Sequence, residues 1–228
     1  MTGDNVENAT GNQSRYRLRI HASDVTPDVL RFRGRDALSE PFCWHIEFTT
    51  PQAPIGPEQV LMKYADLHMQ GGRAVYGVIT ALEWFATSAD QSHYSVTLSS
   101  RLALLTYTCQ SRVFLNLSVP EVVEQVLREH GLEGADFEFR LTRTYPEREL
   151  ITQWRESDLA FVQRILAEVG IWWRTEMDSA RELDVTIFAD SQLHYLFDVR
   201  LPYREPSGLH DGAEEAVWGV RTWHNAVT

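Results

Sequence analysis

The alternation of apolar and polar side chains changes its period near residue 157, and this change predicts a strand followed by a helix. Residues 149–155 alternate with the period of two that places successive side chains on opposite faces of a strand. Apolar residues then recur at the spacing of one helix face: Leu159, Val162, Ile165, Leu166 and Val169. Ser157 can cap this helix and Gly170 can end it in the left-handed conformation, before a strand begins at 171–173.

The same kind of signal predicts an earlier helix. Ser118 is a typical capping residue, Pro120 suits the first turn, and Glu121 completes a capping box. The predicted buried stripe consists of Val122, Val123, Val126 and Leu127. Gly131 closes the helix, and His130 lies in its last turn, where we expect a structural role facing the negative end of the helix dipole.

Short alternating runs with turn residues between them fill the first half of the chain. The predicted strands are 15–21, 29–33, 42–48, 65–69, 73–85 and 93–98. Gly71-Gly72 joins two of them as a hairpin, and Gly77 indicates a bulge or a barrel corner. Such a set of strands favours a small antiparallel barrel or curled sheet over a parallel α/β architecture.

These elements predict an α+β, mostly β fold, with an antiparallel barrel-like subdomain followed by an α+β subdomain that carries two capped helices. Toward the end of the chain, 184–189 and 193–199 are expected to form a hairpin, and 216–223 a last strand. We divide the chain into a flexible tail, a first barrel-like subdomain, an α+β subdomain, and a linker with a returning strand. The expected ranges are 1–14, 15–108, 109–204 and 205–228.

Arginine side chains alternate along the first two predicted strands and form a basic stripe on an acidic protein. The stripe consists of Arg15, Arg17, Arg19, Arg31 and Arg33. One interpretation is a solvated face whose charges pair with surface carboxylates and add little stability. The other is a polar docking face for an acidic partner, so these residues are the candidate interface.

Composition narrows the classes of function. The chain has 228 residues, 43% of them hydrophobic, which is enough for a sizeable core. Its formal net charge of -11 opposes phosphate neutralisation, so nucleic-acid binding is not expected. No apolar run approaches a membrane span, and the start of the chain lacks the features of a signal peptide, so we expect no stable membrane insertion and a cytoplasmic start. Cys43 and Cys109 are expected to be unpaired thiols.

The sequence predicts no catalytic, cofactor-binding or metal-binding residues, and the chain is not expected to be an enzyme. Nucleophile elbows, phosphate loops, dinucleotide fingerprints and paired-cysteine motifs are absent from the sequence. Cys43, His45 and Glu47 share a strand face, but residues four apart on a strand are about 13 Å apart, so we expect an ordinary outer face. Three tryptophans on strand patterns are expected to point inward: Trp44, Trp84 and Trp154.

Three blocks of the sequence resemble segments of one known protein family. Residues 155–173 read RESDLAFVQRILAEVGIWW and resemble the signature segment near the N-terminus of VgrG proteins, the spike of the bacterial type VI secretion system. Residues 100–132 resemble the segment that precedes it in that family, and 75–84, VYGVITALEW, resemble a glycine-containing strand. The resemblance covers most of 16–228 and implies a fold similar to the central hub of contractile-phage baseplates.

The resemblance implies a structural part of a spike or baseplate hub. In the full-length context such proteins form homotrimers that dock to a hexameric tube protein, contact baseplate proteins and deliver effectors. It implies assembly in the cytoplasm followed by secretion through the type VI machinery. Because the further barrel and β-helix of that family have no counterpart in the sequence, we expect a truncated hub. The alternatives are a contractile-phage tail hub or spike protein and, less favoured, a cell-wall hydrolase effector.

Overall fold

The structure is a computed structural model that describes residues 16–51, 54–69, 72–87, 91–197 and 203. The predicted tail at 1–14, the linker at 205–228, the strand at 216–223 and Arg15 lie outside the described residues. Within the described ranges, no helix is long and apolar enough to cross a membrane.

The first half of the chain forms one six-stranded antiparallel sheet. Its strands are β1 (Arg17–Ile20), β2 (Asp28–Arg35), β3 (Cys43–Thr50), β4 (Tyr64–His68), β5 (Ala74–Thr87) and β6 (Ser92–Ser99). They lie in the order β1-β4-β5-β6-β3-β2. The sheet curls until its two ends approach, and the ring of Tyr16 meets the ring of Phe32 on β2 edge-on at 4.9 Å between centroids. This half-barrel confirms the predicted barrel-like subdomain.

Side-chain alternation places the first hydrophobic core on the inner face of the curled sheet. Phe42, Ile46 and Phe48 are fully buried there, as their spacing predicts. A Cβ atom at Gly77 would lie 2.3 Å from the carbonyl oxygen of Ser99, so glycine permits a close approach of two backbones. The shift in strand register falls later along β5, between Ile79 and Ala81, rather than at Gly77 itself.

The second half of the chain packs two helices among smaller sheets. Its elements are β7 (Cys109–Leu117), α1 (Val119–Glu129), β8 (Phe137–Arg140), β9 (Arg148–Ser157), α2 (Asp158–Val169), β10 (Trp172–Asp178) and β11 (Leu183–Ala189). β7 and β9 form a two-stranded antiparallel ribbon, whereas β8 lies parallel to β11 in a three-stranded sheet ordered β10-β11-β8. A 3-10 helix at Arg101–Tyr107 links the two halves.

One predicted pairing is wrong. The hairpin expected between 184–189 and 193–199 does not form over the described residues, which reach 197: β11 pairs with β10 and β8, and Gln192–His194 is a 3-10 turn. The reason is local: Asp178 accepts backbone hydrogen bonds from Ala180 and Arg181, which tightens the turn from β10 into β11.

Both predicted helix caps are confirmed. The carboxylate of Glu121 accepts hydrogen bonds from the backbone N–H of Ser118 at 2.8 Å and from its hydroxyl at 2.7 Å. The hydroxyl of Ser157 accepts from the N–H of Ala160 at 3.2 Å, and Gly170 ends α2 with a φ of 72°. The helices therefore begin and end where the sequence predicts, and their apolar stripes enter a second core around the fully buried Trp173.

A buried carboxylate joins the two halves. Asp184, on β11, accepts hydrogen bonds from the backbone N–H of Arg101 at 2.8 Å and from its Nε at 2.7 Å. The hydroxyl of Tyr64, on β4, donates to the same carboxylate at 2.8 Å. Burial raises the pKa of Tyr64 well above its usual range, and the Asp184 charge adds to the rise. The first core extends to Leu98 and the second begins at Leu102, close to the predicted division at 108 and 109, which stays a prediction.

Replacing the capping serine tests how α1 is held. We expect Ser118→Ala to lower the free energy of unfolding by about 1 kcal/mol, because the hydroxyl bond to Glu121 is lost. The control is Glu121→Gln, which keeps an acceptor oxygen for the Ser118 N–H and should lower the free energy of unfolding by less. Urea unfolding followed by circular dichroism measures both; equal stability of Ser118→Ala and the unaltered chain would contradict this account of the cap.

Candidate functional site

The predicted basic stripe is partly neutralised in the fold. Arg19 on β1 donates from Nε to Asp66 at 2.8 Å and pairs with Glu182 at 2.7 Å. Arg31 on β2 pairs with Glu47 of the neighbouring β3 at 2.9 Å. These arginines therefore already have carboxylate partners within the chain.

Two other arginines of the stripe have no such partner in the described part of the chain. Arg17 and Arg33 are exposed, and no ion pair of either is found among the residues that the structure describes. Their strands occupy the two ends of the sheet order, which the curl of the sheet brings toward each other. The docking role of the stripe stays a prediction, and Arg17 and Arg33 are the two arginines that could serve it without first leaving a carboxylate of the described residues.

Two of the three tryptophans expected in the core lie at the surface, which corrects the prediction. Trp154 is 70% exposed and Trp84 is 60% exposed, whereas Trp44 is partly buried against Phe32. Side chains alternate along β9 as predicted, but the opposite face points inward. Ile151 is buried in the second core, and Trp154 points outward. A period of two identifies two faces and does not say which of them faces inward.

The reversed phase leaves an apolar surface on the β7–β9 ribbon. Its outward side chains are Val113, Leu115, Leu150 and Trp154, exposed by 54%, 61%, 56% and 70%; we name them the ribbon face. Leu115 and Leu150 lie directly opposite each other in the pairing of the two strands. The other side of the ribbon is anchored, because Phe114 stacks on Phe161 of α2 with 5.7 Å between centroids. A contiguous exposed apolar patch on a well-packed support is typical of a protein interaction site.

Asp158 is a buried carboxylate that could suggest chemistry, but its partners give it a structural role. Its oxygens lie 2.7 Å from Nε2 of Gln153, 3.2 Å from the guanidinium of Arg112 and 2.7 Å from Nε2 of His130. His130 at the end of α1 is thereby tied to the first turn of α2, in agreement with the expected structural role. Asp158 lies in the first turn of α2, where a carboxylate also complements the helix dipole.

Asp190, after β11, is held in the same way. It accepts hydrogen bonds from the backbone N–H groups of Thr142 and Arg143 at 2.9 Å, and from the hydroxyls of Thr142 at 2.8 Å and Tyr145 at 2.9 Å. Burial alone would raise the pKa of Asp190, but these donors hold it well below its usual range. The carboxylate therefore stays ionised and fixes the loop that follows β8.

The Cys43, His45 and Glu47 face behaves as the sequence predicts. The Cys43 sulfur lies 3.7 Å from Nε2 of His45, whose Nδ1 lies 3.2 Å from the Thr97 hydroxyl. Glu47 is directed to Arg31, and this hydrogen bond lowers the pKa of its carboxyl group. The Cys43 sulfur thus lies within hydrogen-bonding distance of the His45 ring, but Glu47 is engaged by Arg31, so the three groups do not converge on one point.

The low pKa of Asp190 predicts a pH-dependent stability. We expect Asp190→Asn to lose about 1.5–3 kcal/mol at neutral pH, because an amide cannot accept all four hydrogen bonds. The folded carboxyl has a lower pKa than the unfolded one, so its contribution is complete above the unfolded value and is lost as the pH falls toward the folded value. The difference from the unaltered chain should therefore shrink below about pH 4.

Thermal unfolding of both proteins across pH measures this difference. Asp28→Asn, on an exposed strand position, is the matched control and should change stability by less than about 0.5 kcal/mol. A difference between Asp190→Asn and the unaltered chain that persists unchanged at acid pH would contradict the electrostatic explanation.

Comparison with known proteins places this geometry among hub and spike proteins. A family model described as "Phage tail baseplate hub (GPD)" matches residues 35–227. "Type VI secretion system spike protein VgrG5" of Pseudomonas aeruginosa is 34% identical over 82% of this chain and 24% of its own length. The chain thus spans about a quarter of that relative.

A solved structure extends the comparison to the fold. The E. coli c3393 protein, described as "a component of the type VI secretion system" with "structural similarity to T4 bacteriophage tail proteins gp27 and gp5", matches with a TM-score of 0.80 and 41% identity, over 82% of this chain and 53% of that chain. The "Actin cross-linking toxin VgrG1" of Vibrio cholerae is 29% identical over 68% of this chain and 15% of its own length. Most of that toxin therefore lies outside the matching region.

Proposed function

Because the chain belongs to the phage tail baseplate hub (GPD) family, we propose that it is a structural part of the hub of a type VI secretion spike. The observation that carries the proposal is the match in both sequence and fold to the E. coli type VI component, at 41% identity and a TM-score of 0.80. Such a part functions through its surfaces rather than through a reaction centre. The buried carboxylates Asp158, Asp184 and Asp190 support this, since each is occupied by structural hydrogen bonds.

We propose further that the hub assembles as a homotrimer and that the ribbon face is one of its contact surfaces. An exposed Trp beside three aliphatic side chains is the composition expected at the centre of a protein interface. The supporting β7–β9 ribbon is firmly packed from behind by Phe114 and Ile151, so docking would require little rearrangement. The occupant in this proposal is a second copy of the chain.

Truncating the central aromatic residue tests this contact. We expect Trp154→Ala to weaken self-association at least about thirtyfold, because interface tryptophans contribute 2 kcal/mol or more. Sedimentation or light scattering across a concentration series measures the association constant. Trp154 is 70% exposed, so its removal should leave the fold intact, which circular dichroism verifies.

Trp84→Ala is the matched control. Trp84 is 60% exposed on β5, away from the ribbon, and its replacement should leave self-association unchanged. If the chain is a monomer at every concentration, or if Trp84→Ala weakens association as much as Trp154→Ala, the ribbon face is not the contact surface.

The proposed partners beyond the trimer are the hexameric tube protein, baseplate proteins and effectors, with assembly in the cytoplasm before secretion. We assign the polar contact with the tube protein to Arg17 and Arg33, the exposed arginines of the stripe that have no ion pair among the described residues. Charges at an interface rim act chiefly on the association rate and on its dependence on salt.

Reversing these charges tests the assignment. The double variant Arg17→Glu, Arg33→Glu should bind purified tube hexamer at least about fivefold more weakly, mainly through slower association at low salt. Arg181→Glu, an exposed arginine on the β10–β11 turn, is the control and should bind as the unaltered chain does. Binding kinetics on immobilised hexamer distinguish the outcomes, and equal rates for all three proteins would reject this docking face.

A further inference from the structure

A closed trimer requires two different contact surfaces on each chain. Each copy of a cyclic trimer meets its two neighbours through unlike patches, because a surface that pairs with itself produces a dimer. The ribbon face can supply only one of the two patches. Its counterpart on the next copy must therefore be a second exposed apolar surface of the same chain.

Such a surface lies in the short segment that follows β11. Leu193, Leu196 and Phe197 are exposed by 86%, 69% and 72%, and we name them the 193–197 patch. Leu193 belongs to the 3-10 turn Gln192–His194, and the other two residues follow it closely. Three large apolar side chains exposed within five consecutive residues are typical of a protein contact.

Aromatic side chains hold this segment on the fold. The Tyr195 ring packs against Trp172 of β10 at 4.8 Å between centroids, and the Phe197 ring meets Tyr195 edge-on at 6.0 Å. The guanidinium of Arg174 donates to the backbone carbonyl of His194 at 3.4 Å. The patch is therefore presented on a support, which lowers the conformational entropy lost on docking.

The two patches lie on different outer surfaces around the second core. Trp172 and Trp173 are successive residues of β10, so their side chains point to opposite faces of its sheet. Trp173 is fully buried in the second core, which also contains Phe114 and Ile151 from the inner side of the ribbon. Trp172, with the 193–197 patch, therefore lies on the sheet face that points away from this core. One copy thus presents two separate apolar surfaces.

The other large apolar side chains that are exposed in the described residues offer fewer groups in one segment. Trp84 and Phe85 are adjacent on β5, but the Phe85 ring packs against His93 at 4.8 Å between centroids. The remaining ones come from separate parts of the chain: Leu30, Leu38, Met62, Tyr107 and Tyr203. The 193–197 patch is therefore the best counterpart for the ribbon face.

Resting on the proposed homotrimer, we propose that the ribbon face of one copy binds the 193–197 patch of the next copy. Trp154 and Phe197 are the largest exposed groups of the two patches, and the contact removes both from water. Three such contacts close the trimer and leave neither patch exposed. Pairing of two ribbon faces would instead give a dimer in which both 193–197 patches stay in water.

Mixing two complementary variants tests this contact. The double variant Leu196→Ser, Phe197→Ser removes the 193–197 patch and Trp154→Ala weakens the ribbon face, so each alone should lower the association constant at least about thirtyfold. At a concentration where each variant alone is monomeric, their mixture should form pairs with one chain of each kind, because one intact ribbon face meets one intact patch. These pairs should not grow into trimers, since their remaining surfaces are both defective.

Sedimentation velocity measures the species formed, and circular dichroism verifies that each variant is folded. Phe85→Ser is the matched control, because Phe85 is a 45% exposed phenylalanine on β5, and its replacement should leave self-association unchanged.

The outcomes separate this contact from the trimer itself. If the unaltered chain and the Leu196→Ser, Phe197→Ser variant associate equally while Trp154→Ala does not, the ribbon face has another counterpart and only this proposal is overturned. A mixture that stays monomeric also overturns it. An unaltered chain that is monomeric at every concentration would overturn the homotrimer and this contact together.

Discussion

The buried contact of Asp184 with Arg101 and Tyr64 determines how the two halves of this protein lie relative to each other. Tyr64 belongs to the first sheet, Arg101 opens the 3-10 helix between the halves, and Asp184 lies on β11. Each group is needed by the others, because a buried charge without its partner costs several kcal/mol. Because the three groups come from the first sheet, the connecting 3-10 helix and β11, their contact fixes how the two apolar cores lie against each other.

Local chemistry made much of the fold predictable from the sequence. Ser118, Ser157 and Gly170 mark helix ends by hydrogen bonds and dihedral angles that depend on a few neighbouring residues. The sequence did not show which face of β9 is buried, because the burial of Ile151 in place of Trp154 depends on α2 packing behind the ribbon. The parallel pairing of β8 with β11 was missed for the same reason, since it joins residues about fifty positions apart.

The candidate surfaces, too, could be predicted only in part from the sequence. The sequence identified the arginines of the stripe, but the carboxylates that neutralise Arg19 and Arg31 come from β4, the β10–β11 turn and β3. Functional surfaces built by tertiary contact are therefore visible only in three dimensions.

The strand order also leaves one strand edge unpaired while the chain is being synthesised. β3 lies between β2 and β6, yet β6 begins at Ser92, 42 positions after β3 ends at Thr50. A ribosome adds roughly 5–20 residues per second, so the edge of β3 has no neighbour on that side for roughly 2 to 8 seconds. During this interval Phe42, Ile46 and Phe48 have no completed barrel to enter. The nascent chain thus carries an uncovered strand edge early in its translation, before residues of either helix have been added.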